Sequence, residues 1–165
     1  MQTTSFHAKY YVHELTKRNA AGGFSRIADA LSDAQVDLNP HQIEAALFAF
    51  KNPLSSGVVI ADEVGLGKTI SAGIVIAQMW AEEKHKILII VPANLRKQWQ
   101  LELEEKFYLP AFILEGNASI DLDSGIQIMS YQFASKQAIS LSPIPWDLVV
   151  IDEAHRLRNV YKPGN

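Results

Sequence analysis

A lysine and a threonine stand directly behind two glycines in Gly65-Leu66-Gly67-Lys68-Thr69, and two acids close an apolar run in Leu148-Val149-Val150-Ile151-Asp152-Glu153. Each cluster implies a chemistry. The glycines let the backbone turn tightly enough for successive N–H groups to face one anion. A helix starting at Lys68 adds the positive end of its dipole at the same point. Lys68 can then reach β- and γ-phosphates, and the Thr69 hydroxyl can take a place on Mg²⁺. In the second cluster, an acid at the carboxyl end of a buried strand supplies a further contact to the metal. The strict phosphate-loop pattern G-x-x-x-x-G-K-[ST] is not met, because Asp62 occupies the position of its first glycine. Together, and in this order, the two clusters imply a nucleoside triphosphatase site.

Positioning these groups requires strands that end at them. Residues 58–61, Val-Val-Ile-Ala, read as a core strand beginning at Gly57 and feeding the glycine loop. The helix leaving the loop runs from Lys68 to about Glu83 and is apolar on most sides, through Ile70, Ile74, Val75, Ile76, Met79 and Trp80. Residues 87–91 form a buried strand closed by Pro92. Asn94 is expected to cap a helix reaching about Lys106 that carries Leu95, Trp99, Leu101 and Leu103, with Trp99 read as core. Residues 112–114 and 126–129 read as strands around a polar loop, and Ser130-Tyr131 starts a short helix ending near Ile139. Residues 142–145 are a stiff connector into the acidic strand, 148–151.

Upstream, Asn39 reads as an N-cap and Pro40 as the first residue of a helix to about Phe50, with Ile43, Leu47 and Phe50 inward. Gln42, in its first turn, carries the donor and acceptor that the edge of adenine requires. Residues 5–18 and 25–31 read as short helices without evident chemistry. The alternation of strands and helices predicts an α/β fold, a parallel sheet with helices on both faces. Ligands of such sheets bind beyond the carboxyl ends of the strands. That rule gathers Lys68, Thr69, Asp152, Glu153 and the segments after Val91 and Met129 on one rim.

The chain has 165 residues, 48% hydrophobic and 20% charged, which suits a single soluble domain with a real core. It contains no cysteine, so disulfides and thiolate metal sites are excluded, as fits a reducing, cytoplasmic setting. The N-terminus shows no signal-peptide pattern, and no apolar run has the length of a membrane span. A net charge of −3 argues against coating nucleic acid by bulk charge but leaves room for a local basic strip. Residues 1–37 are expected to be an accessory helical segment and residues 38–165 the nucleotide-binding domain.

The motifs carry a family resemblance. Asp62-Glu63-Val64-Gly65-Leu66-Gly67-Lys68-Thr69, followed by Ile70, closely resembles the phosphate loop of the Swi/Snf-type DNA translocases, including Asp in place of the first glycine. Asp152-Glu153-Ala154-His155-Arg156-Leu157-Arg158-Asn159 resembles their acidic motif, in the DEAH-box spelling. Pro40-His41-Gln42 is similar to their adenine-reading motif. Val91-Pro92-Ala93-Asn94-Leu95 with Gln98-Trp99, and then Met129-Ser130-Tyr131, are similar to two strand-contact motifs. Over about residues 38–160 the chain thus resembles the first RecA-like lobe of a superfamily-two helicase, a P-loop nucleoside triphosphatase fold.

The resemblance implies ATP and Mg²⁺ as cofactors, with nucleotide held by Gln42, residues 62–70 and above all Lys68. Thr69 and Asp152 would hold Mg²⁺, Glu153 would polarise the attacking water, and His155 would link the nucleotide site to the family's coupling motif. Arg96, Lys97, Ser130 and Tyr131 would face the backbone of double-stranded DNA, tracked without separation of its strands. The family's coupling motif and second RecA-like lobe, which brings arginines to the γ-phosphate, are expected partners missing from these residues. The coupling motif would end a strand lying between 58–61 and 148–151. The isolated chain is accordingly expected to be inactive. A strand-separating DNA or RNA helicase, a restriction-system motor and a non-catalytic nucleotide-binding module are the competing readings, and the Glu63-Val64-Gly65-Leu66 spelling favours the translocase over the first two.

Overall fold

The computed structural model describes residues 39–51, 57–60, 68–116, 118–122 and 125–157. Two compact units divide the chain: one runs to Lys84 and includes Leu101–Leu109, and the other comprises His85–Gln100 and continues from Pro110.

The second unit is built on a sheet. β1 (Ile87–Val91), β2 (Ala111–Leu114), β3 (Ile126–Ser130) and β4 (Leu148–Ile151) lie in the order β2-β3-β1-β4, every pair parallel. β1 reads Ile-Leu-Ile-Ile-Val without polar alternation, the composition of a strand enclosed on both faces. Every residue of β3 is buried. Leu88, Leu114, Met129 and Leu141 form a core joined by Ile90, Phe133, Ala134 and Trp146. Reciprocal bonds tie the starts of β1 and β4: Lys86 N–H donates to Asp147 Oδ2 at 3.0 Å, and Asp147 N–H to the Lys86 carbonyl at 2.9 Å. Gly125, at φ 136, enters β3 where a Cβ would lie 2.7 Å from the Pro110 carbonyl oxygen, so only glycine fits. Buried Gln127 donates to the carbonyls of Asp121 and Gly125, both at 2.8 Å, fastening the loop ahead of β3.

The regular elements described in the first unit are helices. α1 (Pro40–Lys51) packs on α2 (Lys68–Ala81), and the end of α3 (Arg96–Phe107) belongs to the same unit. α1 begins at Pro40 as expected, with Ile43 and Leu47 buried. α2 stops at Ala81, slightly short of the expected end, and Glu83 takes φ 61 in the turn that follows. Gly73 is a close-approach position: a Cβ there would lie 2.3 Å from Phe107 Cε2 and 2.5 Å from Cζ. Because Phe107 is itself buried, its ring has little room to withdraw. Gly73→Ala is therefore expected to destabilise the protein by about 1–3 kcal/mol through overpacking. A lowered denaturant midpoint checks this, and unchanged stability would mean that the ring moves freely.

Four expectations are corrected. Residues 57–60 form no strand, and Val59 is 84% exposed. β4 is not a buried strand but an edge, with Val149 44% and Ile151 40% exposed. The physical reason is shared. A strand persists only as a member of a ladder, and neither run has a further neighbour among the described residues. Third, Asn94 does not cap α3. The chain already turns at Ala93–Leu95 in a 3₁₀ turn, closed by Leu95 N–H on the Pro92 carbonyl at 2.9 Å, so α3 starts at Arg96. The helix expected after β3 is two: α4 (Tyr131–Lys136) and α5 (Ala138–Leu141).

The expected helices at 5–18 and 25–31 lie outside the described residues, as do Asp62, Glu63, Val64, Gly65, Leu66 and Gly67. Among the described residues, no helix is long and apolar enough to cross a membrane.

Candidate functional site

In the helical unit, α2 opens on Lys68 and Thr69, both half-buried, and its first turn holds no acidic residue. A lysine at the positive end of a helix dipole opposes helix stability. The arrangement makes electrostatic sense when an anion sits at that end. Ile70 is buried on α2, within the packing of the unit. Gln42 is 4% exposed, and its Oε1 accepts the Asn39 N–H at 3.1 Å. This is the returning half of a capping box, with the N3 side chain satisfying the N-cap backbone. The glutamine thus has a local structural duty that its spacing alone did not reveal.

In the sheet unit, the segments after β1, β3 and β4 converge on Asp152. Its N–H donates to the Ile90 carbonyl at 3.0 Å, carrying the β1–β4 ladder one step past β4. Carboxylate Oδ1 accepts the Glu153 N–H at 2.8 Å, and Oδ2 accepts the Trp99 indole N–H at 3.0 Å. Tyr131 Oη donates to the Asp152 carbonyl. Burial raises the Tyr131 phenol above the 10.0 of a free tyrosine; Asp152 adds to the rise, Arg156 opposes it, and Glu153 adds again. The phenol therefore keeps its proton, and remains a donor, through the neutral range.

Glu153 takes φ 54, a left-handed conformation that costs a non-glycine residue of the order of 1–3 kcal/mol and is retained where a structure over-determines it. Here the Asp152 carboxylate fixes its N–H, and its carbonyl accepts the Arg156 N–H at 3.0 Å. The exposed Glu153 carboxylate lies 3.0 Å from His155 Nδ1, an ion pair when the imidazole is protonated. Asp152, Glu153 and His155 thus form one turn beyond the carboxyl end of β4.

The candidates for DNA contact have local partners. Arg96 donates to the Ala93 carbonyl at 3.0 Å and pairs with Glu115 at 2.8 Å; Lys97 donates to Gln100 Oε1 at 2.9 Å. Ser130 is buried, and its Oγ accepts the Phe133 N–H at 3.1 Å as the N-cap of α4. Spacing missed the bonds of Trp99 and Tyr131 to Asp152. One signal was available for the first, since a buried tryptophan requires an acceptor for its indole N–H.

With this geometry in view, comparison with known proteins is specific. The model of the SNF2-related domain matches residues 7–162, reaching upstream of the motifs read from the sequence. An uncharacterized ATP-dependent helicase of Bacillus subtilis (strain 168), YqhH, is 42% identical over 124 residues, covering 73% of this chain. The RNA polymerase-associated protein RapA of Pseudomonas syringae pv. tomato is 38% identical over 111 residues, 61% of this chain. The aligned part is 22% of YqhH and 12% of RapA. The Sulfolobus solfataricus SWI2/SNF2 ATPase core in complex with dsDNA superposes with a TM-score of 0.71 at 29% identity, over 78% of this chain and 28% of that one. The parallel α/β sheet and the RecA-like expectation are borne out by that likeness. A match over nearly the whole sequence assigns the chain to the SNF2-related domain family.

Proposed function

We propose that the chain is the ATP-binding motor lobe of an ATP-dependent double-stranded DNA translocase, hydrolysing ATP when joined to a second RecA-like lobe. The observation that carries this reading is the acidic turn. Asp152 is held by donors on both carboxylate oxygens, and the following Glu153 is presented in a left-handed backbone. Residues 38–165 form this lobe in our reading, and residues 1–37 are accessory to it.

In this reading Lys68 and the backbone of residues 62–67 hold phosphates, and Gln42 recognises adenine. The donors suit Mg²⁺: the Asp152 carboxylate and Thr69 hydroxyl are hard oxygens. Mg²⁺, when bound, neutralises charge on the β- and γ-phosphate oxygens. Glu153 accepts a proton from the attacking water, and His155, in contact with Glu153, links the nucleotide site to the coupling motif. Arg96, Lys97 and Tyr131 face the DNA backbone, with Arg96 exchanging Glu115 for phosphate, while Ser130, buried and capping α4, shapes that segment from within. The relative with duplex DNA bound supports this partner. In this reading the second lobe supplies arginines to the γ-phosphate, worth about 10³–10⁵ in rate, and turnover without them is correspondingly slow.

The test is ATPase stimulation of the full-length protein by matched duplex and single-stranded DNA, with binding followed against salt. Duplex should stimulate more strongly and without sequence preference, and affinity should fall by about 10³-fold or more between roughly 50 and 200 mM salt if six or more phosphates are contacted. Stimulation by single strands alone would favour a strand-separating helicase or restriction-type motor. A full-length protein without ATPase activity would leave the non-catalytic nucleotide-binding reading.

A further inference from the structure

We infer that Trp99 is a positioning residue for the metal-facing carboxylate of Asp152, with Tyr131 fixing the backbone behind it. The inference rests on the proposed nucleotide reading in one respect, that Asp152 faces Mg²⁺; the hydrogen bonds themselves do not depend on it.

Asp152 is restrained through four groups. Its N–H is tied to β1 through the Ile90 carbonyl, and its own carbonyl is tied to the first residue of α4 through the Tyr131 hydroxyl. Oδ1 is tied to the next peptide and Oδ2 to the indole on the first turn of α3. The two backbone restraints locate the Cα, and the two carboxylate restraints set the side-chain torsions. Neither oxygen can rotate away without breaking a bond to an ionised acceptor, the stronger class of hydrogen bond. Trp99 is only 3% exposed, so water cannot readily take over as the acceptor for its N–H.

The tryptophan therefore has two duties, and the one legible from spacing is the lesser. Its ring fills the core, whereas its Nε1–H chooses one orientation of the carboxylate. Partners that orient a metal ligand are typically worth about 10–100-fold in metal affinity. Trp99 follows Arg96 by one helical turn, and Tyr131 directly follows Ser130. The same two chain segments that carry the candidate phosphate contacts thus also hold the acid.

Two measurements on the full-length protein test this. In the first, a fluorescent ATP analogue is titrated at equilibrium over a range of Mg²⁺ concentrations, without reference to turnover. Trp99→Phe keeps an aromatic ring and removes the donor. It should raise the Mg²⁺ concentration for half-maximal enhancement of binding by about 10–100-fold, leaving Mg²⁺-free nucleotide affinity native. Tyr131→Phe should act in the same direction and less. In the second, ¹⁵N-tryptophan spectra resolve the indole N–H resonances, Trp99 being assigned by elimination as each other tryptophan is replaced by Phe in turn. Asp152→Ala should move the Trp99 resonance and speed its solvent exchange.

This second measurement leaves Trp99 in place, so it holds even where Trp99→Phe fails to fold. A Trp99 resonance indifferent to Asp152→Ala overturns the inference, as does a folded Trp99→Phe protein with native Mg²⁺ dependence. If Mg·nucleotide binding is native-like in Trp99→Phe, the functional reading survives without this role for Trp99. A wild-type protein that binds no Mg·nucleotide overturns the functional reading and the positioning role together.

Discussion

Glu153→Gln is expected to slow ATP hydrolysis by the full-length protein by about 10²–10⁴-fold while leaving Mg·ATP binding near native. The amide cannot take a proton from water, so the loss falls on the chemical step. The structure makes the substitution a clean one. A glutamine Oε1 can still accept from His155 Nδ1, which lies 3.0 Å from the Glu153 carboxylate. The left-handed φ of 54 is held by backbone partners, the Asp152 carboxylate and the Arg156 N–H, that the change does not touch. Single-turnover hydrolysis alongside equilibrium nucleotide titration separates the two effects. Hydrolysis at the parent rate would remove Glu153 from the mechanism, and a parallel loss of binding would make its role structural.

The second large effect is expected at the other unit. Lys68→Ala should weaken ATP binding by about 10²-fold or more, because hydrogen bonds to charged groups contribute about 1.5–3 kcal/mol each and Lys68 is assigned two phosphates. Folding should not suffer. Lys68 is the first residue of α2, at the end where a positive charge is unfavourable to the helix, and no acid in that turn offsets it. The variant should therefore unfold at or slightly above the native temperature even as nucleotide affinity disappears. Native affinity on titration would refute the phosphate-loop assignment. A fall in both would show that the lysine supports the helix rather than a ligand.

Much of this protein was determined by short stretches of sequence. The unbroken aliphatic run of β1 suits a strand enclosed on both faces, and β3 gathers Ile126, Ile128 and Met129 in a short run beside a polar loop, so both could be read directly. Pro40 preset the start of α1, and the apolar sides of α2 set its packing. The family was likewise legible, because the phosphate-binding and acidic motifs are local: their chemistry depends on neighbours within a few residues. What depends on neighbours far along the chain was not legible. Residues 58–61 and 148–151 are equally apolar, and composition cannot say whether a strand has a partner on each side. Tertiary structure made β4 an edge and left 57–60 without a ladder. Trp99 read as core and Tyr131 as a surface contact because sequence spacing specifies which way a side chain leaves its helix, not what it meets there. Their meeting with Asp152, 53 and 21 residues away, arises from the order β3-β1-β4, which brings the carboxyl ends of three parallel strands side by side. The residues that could bear the chemistry were chosen by the sequence; the orientation of its central carboxylate was decided by the sheet.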